Sequence, residues 1–305
     1  MTRLLILGSA NADHVMNLEH LPNPGQTLMG QGYRLEHGGK GANQAVAAAR
    51  LSREDTRVDF ICHLGQDAIG QAMAQAWQQD GITPDGITYT DLQPTGTAMI
   101  FVADTGENII GVSAGANATL TPEALEPHLE LIAKADYLLL QLETPAVTVL
   151  NALEHAKANG VTTILNPAPA MVIGKDLFRL VDVITPNETE AEAITGIEVT
   201  DEQSAKLAAQ MLHQFGPKIV IITLGKRGAL LSTKDQCALI PGVEVKALDT
   251  VAAGDTFNGA LMVALGEGKS IEQAVAFAHR AAAISVTRAG AQRSIPYRHE
   301  LAEHE

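Results

Sequence analysis

A carboxylate set among small residues is the feature of this chain most suited to chemistry. The stretch Asp249-Thr250-Val251-Ala252-Ala253-Gly254-Asp255-Thr256-Phe257-Asn258-Gly259 leads into an apolar run at 260–265 that reads as a buried helix. Amides at a helix start lack intrahelical partners and carry the positive end of the helix dipole. Ala252, Ala253 and Gly254 put little side chain in the way, so this corner suits an anion, phosphate above all. Asp255 then places a carboxylate where the anion belongs. Either the backbone holds a developing negative charge while Asp255 handles a proton beside it, or Asp255 merely caps its helix.

The elements that must position this corner alternate between strand and helix. Short continuous apolar runs at 4–7, 58–64, 137–143, 161–165, 181–185 and 219–224 read as buried parallel strands. Helices are expected at 67–79, 145–159, 201–215 and 271–287, with an alanine-rich one up to about Leu51 and a further one starting from the Thr121-Pro122 cap. The stretch 243–248 reads as a strand entering the corner. The rhythm breaks at 97–103 and 108–113, which flank Asp104-Thr105-Gly106-Glu107 as a β-hairpin. With segments inside 14–35, this hairpin is expected to form a small sheet acting as a lid. The fold class is thus α/β: a mostly parallel, doubly wound sheet flanked by helices, with a β-sheet lid, in one domain spanning 1–305.

Polar residues gather after the strands, where open α/β sheets bind ligands. Asn11 and Asp13, Glu143, Asn187 and Glu190, and the Gly225 loop all follow apolar runs. Asn11 and Asp13 also suit a plain turn, and Glu143 a helix cap. His37-Gly38-Gly39-Lys40-Gly41 reads as a ligand loop opening a helix. The histidines show no zinc spacing. Gly268-Lys269-Ser270 has Val263 where a phosphate-binding loop needs its first glycine, and Gln44 stands where a dinucleotide fingerprint needs its third.

Composition narrows the class. Twenty-one basic and thirty-five acidic residues give a net charge of −14 over 305 residues, which argues against a nucleic-acid partner. No run is long enough for a membrane span, and the apolar start is too short for a signal peptide. Cys62 and Cys237 read as separate, reduced core thiols. A cytoplasmic protein is expected.

The pairing of Gly38-Gly39-Lys40-Gly41-Ala42-Asn43-Gln44 with Asp249 to Phe257 resembles the two signatures of the ribokinase family of carbohydrate kinases. Asn11-Ala12-Asp13, Gln141-Leu142-Glu143, Asn166-Pro167-Ala168-Pro169 and Thr185-Pro186-Asn187-Glu188-Thr189-Glu190 extend the likeness over nearly the whole chain. Ala252 departs from the glycine more usual in the wider family.

The resemblance implies transfer of the γ-phosphoryl of ATP to the 5-hydroxyl of D-ribose, with Mg²⁺ and K⁺ as cofactors. It assigns ribose to Asn11, Ala12, Asp13, Gly39, Lys40, Gly41, Ala42, Asn43 and Glu143. Asp255 is the implied base, and the backbone amides from Ala252 through Ala253 to Gly254 are the anion hole. Asn187, Glu190, Thr223, Leu224, Gly225, Lys226, Arg227, Gly228, Gly254 and His279 fall to the nucleotide and its Mg²⁺. Asp249, Val251, Ser285, Arg288, Gly290 and Ser294 are the implied surround of a monovalent cation, mainly through carbonyl oxygens. A homodimer through the lid sheet is implied, with Ile100 and Val102 on one face. Another sugar acceptor such as deoxyribose or fructose, or a catalytically silent sugar- or nucleotide-binding protein, is the alternative.

Overall fold

Strand β1 (Thr2–Leu7) is apolar on both faces because both faces are covered. Leu4 and Ile6 point into one core cluster, Leu5 and Leu7 into the other, and all four are fully buried. The structure, a computed structural model, describes residues 1–172 and 174–302. From β1 the chain runs through β2 (Asn11–Leu18) and β3 (Gly32–Gly38) into helix α1 (Lys40–Leu51), then β4 (Thr56–Gly65) and α2 (Ala68–Gln79). Two short strands, β5 (Ile82–Thr83) and β6 (Ile87–Thr90), precede the hairpin β7 (Gly96–Ala103) and β8 (Asn108–Ser113).

After the hairpin come α3 (Pro122–Leu125), α4 (Leu129–Lys134), β9 (Tyr137–Leu140), α5 (Ala146–Ala158), β10 (Thr162–Leu165) and β11 (Val183–Ile184). Next are α6 (Glu188–Thr195), α7 (Glu202–Phe215), β12 (Ile219–Thr223), β13 (Ala229–Ser232) and β14 (Cys237–Ile240). The chain closes with α8 (Ala253–Gly266), α9 (Ile271–Ser285) and α10 (Arg298–Ala302). None of these helices is long and apolar enough to cross a membrane.

The large sheet has the order β14-β13-β12-β11-β10-β9-β1-β4-β5, with β6 also on β4. Every pairing from β12 across to β5 and β6 is parallel, and only β13 and β14 run antiparallel. Leu7, Leu140 and Leu165 stand in register, as do Leu165 and Ile184, so the residues that follow these strands emerge along one edge. The second sheet has the order β3-β2-β7-β8. Strands β2 and β7 pair in parallel, with β3 and β8 antiparallel on the outside.

Three expectations need correction. Asn11 and Asp13 do not stand in a plain turn, because β2 begins at Asn11 and carries both into the small sheet. Asn117 fixes this entry, accepting from Ala10 N at 2.8 Å and donating to Asn11 Oδ1 at 2.8 Å. Residues 243–248 form no strand; they are largely exposed, and Leu248 is tied at its amide to Val286 O instead. Cys62 is buried, but Cys237 is exposed on the edge strand β14, so only one of the two is a core thiol.

Candidate active site

Ala252 makes the corner. Its φ of 59° is the one left-handed non-glycine backbone among the described residues. An alanine held there costs about 1–2 kcal/mol. It is the N-cap of α8 without any side-chain cap, so the first turn, with Gly254 and Asp255, presents amides that no helical carbonyl can take. Upstream, Asp249 braces the turn: its carboxylate accepts from Val251 N and from Gly290 N, both at 3.0 Å.

Asp255 is not a cap. It lies within the first turn of α8, 8 % exposed, and its carboxylate is turned toward α1. Asn43 Nδ2 donates to Oδ2 and Gln44 Nε2 to Oδ1, each at 2.9 Å. Burial pushes this carboxyl upward; the Lys40 ammonium and the two amides pull the other way without reversing it.

Gln44 is the residue whose role sequence reasoning missed: it stood as the last residue of the 38–44 signature and as the place where a third glycine was wanting, with no function assigned. It is fully buried and sits at the centre of a polar ring. Its Nε2 also donates to Asn166 Oδ1 at 3.0 Å, and its Oε1 accepts from Gln141 Nε2 at 2.6 Å. Asn166 donates to Thr185 O, Thr185 Oγ1 to Asn258 Oδ1 at 2.6 Å, and Asn258 Nδ2 to Gly254 O at 2.9 Å. The ring therefore starts on the Asp255 carboxylate and returns to the backbone of the same helix turn. A polar residue one step before an alanine-rich helical run, where core packing wants an apolar one, was the signal available.

The other carboxylates crowd in. Glu143 accepts from Ser9 Oγ at 2.5 Å and from Lys40 N at 3.1 Å, which makes the fully buried Ser9 a second missed residue. Asp13 is pushed up to about 7, by burial first and then by Glu143, Glu36 and Asp255. Lys40 is itself penalised by burial, yet Asp255, Glu143 and Glu190 outweigh this and raise it. One ammonium thus serves several carboxylates.

The glycines of the 38–41 segment are needed for fit. A Cβ on Gly39, where φ is 89°, would lie 2.7 Å from Ala10 Cα, and one on Gly41 would lie 2.6 Å from Ser9 N. Ala42 is fully buried in the core, and Ala12 is fully buried on β2 within the small sheet. These backbones press against each other, and only the polar side chains face the site.

The expected nucleotide residues fall into two groups. Asn187 and Glu190 form a reciprocal capping box at the start of α6. Glu190 accepts from Asn187 N at 2.9 Å and Asn187 Nδ2 at 3.0 Å, so both of its oxygens are engaged. Thr223 bridges to Asn187, Leu224 is buried, and Lys226 is exposed in the turn from Gly225. Arg227 reaches away, to Glu188 and Thr200 O. Gly228 packs under residues 240–242, and Pro241 also lines a cleft of about 360 Å³ containing His279, Val243, Lys269 and Gln273. His279 rests 5.1 Å from the Phe257 ring, and burial lowers it to about 4, so it is neutral at pH 7.

Of the residues expected around a cation, Asp249, Val251 and Gly290 are joined directly. The hydroxyls of Ser285 and Ser294 are turned to Ala282 O and Ala291 O, and the Arg288 guanidinium pairs with Glu300. Main-chain oxygens and the Asp249 carboxylate are the plainest electron-pair donors there. Among the described residues no group of three or more His, Cys, Asp or Glu could hold a metal.

Comparison with known proteins matches residues 1–298 to the pfkB family of carbohydrate kinases. The chain belongs to this family. It is 50 % identical over 300 residues to a ribokinase of Haemophilus influenzae, covering 98 % of this chain and 97 % of that one. The ribokinase structure from Thermotoga maritima aligns with a TM-score of 0.90 at 40 % identity, covering 99 % of each chain. Arabidopsis thaliana ribokinase, solved with ribose and ATP, aligns with a TM-score of 0.92 at 34 % identity, over 99 % of this chain and 98 % of that one.

Gln44→Leu tests the ring. One hydrogen bond to a charged group is worth about 1.5–3 kcal/mol, so turnover is expected to fall between about 10- and 150-fold. The sugar KM should change far less. Steady-state kinetics on a variant with an unchanged melting profile is the measurement, and parental turnover would remove Gln44 from the positioning of Asp255.

Proposed function

We propose that this chain transfers the γ-phosphoryl group of ATP to the 5-hydroxyl of D-ribose, giving ribose 5-phosphate and ADP. The observation that carries the reading is the meeting of two distant segments on one carboxylate: Asn43 and Gln44 from the start of α1 on Asp255 of α8, beside the uncapped Ala252 turn. Similarity to ribokinases, one of them solved with ribose and ATP, supports the choice of sugar and nucleotide.

In this reading Asn11, Asp13, Gly39, Lys40, Asn43 and Glu143 hold the sugar hydroxyls and aim the 5-hydroxyl at Asp255. Asp255 takes the hydroxyl proton as that oxygen bonds to the γ-phosphorus and the bond to the β,γ-bridging oxygen breaks. The amides of Ala252, Ala253 and Gly254 receive the charge on the transferring group. A carboxylate is a weak base, but a loose transition state needs the proton removed only late. The β3-β2-β7-β8 sheet acts as the lid that keeps water from competing for the phosphoryl group.

Asn187, Glu190, Thr223 to Gly228 and His279 serve the nucleotide. Because both Glu190 oxygens already hold Asn187, the carboxylate fits a water-bridged contact to Mg²⁺ better than direct ligation. Mg²⁺ neutralises charge on the phosphate oxygens when bound. Asp249 and the carbonyls near Val251, Ser285, Arg288, Gly290 and Ser294 fit a monovalent cation, K⁺, and rates in matched K⁺ and Na⁺ salts test this. We infer a cytoplasmic homodimer. Ile100 and Ile110 face each other across β7 and β8, and Ile110 and Val112 are more than half exposed, an apolar surface that a second lid would cover. Sedimentation as a monomer at micromolar concentration would count against it.

Asp13 gives the reading a pH signature. Ribose hydroxyls need its ionised form as acceptor, and Asp13 sits near 7 in the free site. Ribose affinity should therefore rise with pH up to about 7 and level off above it, with a proton released on binding at pH 6. In the unliganded fold the sign is opposite: the raised pKa contributes stability that is full below the ordinary value of 3.8 and lost as pH rises through about 7. Calorimetry in buffers of different ionisation enthalpy measures the proton, and a pH-independent affinity would take Asp13 out of the sugar site.

Asp255→Asn should fold normally and lose turnover by about 10² or more, the scale for a positioned base. Assays with ATP, Mg²⁺, K⁺ and a panel of ribose, deoxyribose and fructose test base and acceptor together. Turnover within tenfold of the parent, or preference for another sugar, would overturn the corresponding part of the proposal.

A further inference from the structure

Glu36 is a buried carboxylate that the phosphoryl transfer does not use. It lies on β3 directly opposite Asp13 of β2, and is 8 % exposed. A carboxylate placed against another carboxylate in a buried site is costly, and its presence raises Asp13. Its own contacts show where it is anchored. Arg34 Nε donates to Glu36 Oε1 at 2.6 Å, within the same strand. Ala291 N donates to Glu36 Oε2 at 3.4 Å, from a loop between α9 and α10, far along the chain. Gly290, with φ of 94°, passes so close that a Cβ there would lie 2.9 Å from Oε2.

That loop is the one that braces the anion corner. Gly290 N donates to Asp249 Oδ2, Asp249 Oδ1 accepts from Val251 N, and Val251 precedes the left-handed Ala252. The contacts therefore run without a gap from a lid strand, through Glu36 and the Gly290–Ala291 peptide, to Asp249 and the amides that receive the phosphoryl group. Residue 252 is an alanine in a glycine-type conformation, so the corner needs outside support to keep its shape.

We propose that Glu36 is a positioning residue that couples closure of the lid over the sugar to the geometry of the anion corner, so that sugar and nucleotide bind with positive cooperativity. Sugar on β2 sets the position of the paired strand β3. Glu36 passes this position to the loop at 290–291, and Asp249 passes it to Val251 and Ala252. The inference rests on the sugar and nucleotide sites proposed above.

Calorimetry with ribose and a non-hydrolysable ATP analogue tests it, each titrated alone and in the presence of the other. In the parent, ribose should tighten analogue affinity by about 5- to 150-fold, the usual range of coupling between sites. Glu36→Ala should bring this factor to within about twofold of unity while binding ribose alone no more weakly than the parent, since a charge beside Asp13 is gone. Because coupling is reciprocal, its ribose affinity in the presence of the analogue should weaken by the same factor relative to the parent, while its kcat falls. Glu36→Gln keeps an oxygen for the Ala291 amide but loses the charge, and should retain most of the coupling. A parent without coupling, a Glu36→Ala protein with parental coupling, or a Glu36→Gln protein indistinguishable from Glu36→Ala would each overturn the proposal. Failure of the parent to bind ribose at all would instead strike the sugar site itself.

Discussion

Two amide hydrogens decide where the carboxylate of Asp255 points. Burial alone would drive that group toward its neutral form, at a cost of several kcal/mol for the ion. Each hydrogen bond from Asn43 and Gln44 returns about 1.5–3 kcal/mol, and the Lys40 ammonium adds to them. The balance is close, so the geometry of the donors matters. It requires α1 and α8 to approach nearly to contact, which is why residue 259 is glycine: a Cβ there would lie 2.6 Å from Gln44 O and Ala47 Cβ. It also requires α1 to start hard against the end of β1, which Gly39 and Gly41 permit.

The surroundings of that carboxylate are more acidic than a phosphate site is expected to be. Asp13, Glu36, Glu143 and Glu190 all lie close enough to influence the ionisation of their neighbours, against one half-buried lysine, Lys40. Sugar hydroxyls explain this better than phosphates do, since they are donors that need acceptors. The anion is left to backbone amides, which carry no charge to be cancelled by the carboxylates. In the proposed reading, one edge of the sheet accommodates two ligands of opposite hydrogen-bonding character.

Much of this was legible in the order of residues. The buried strands β1, β4, β9, β10 and β12 read directly from apolar runs, and helices α2 and α7 from the stretches at 67–79 and 201–215, whose first residues the structure shows to be their caps. The corner at 249–259 and the segment at 38–44 stood out by their small residues. What was hidden depends on contacts between distant positions. Ser9, Gln44 and Asn117 are ordinary polar residues until folding buries them, and then each is committed to partners far away in the chain. The supposed strand at 243–248 failed for the opposite reason. Its alternation of valine with charged residues is real, but no neighbouring strand is there to pair with it.

The parallel pairing of β2 with β7 has a consequence for how the protein comes into being. A parallel pair cannot be closed by a tight turn, and between these strands lie β3, α1, β4, α2, β5 and β6. On the ribosome, β2 therefore emerges long before its partner, with Val15 and Leu18 lacking the cover they have in the folded protein. The cost of joining such distant segments is met only when the first strands of the large sheet have formed and brought the ends together. The small sheet is in this sense completed on a foundation already laid by β1 and β4, and a chain interrupted before residue 96 would carry β2 and β3 without the strand that pairs with β2 in parallel.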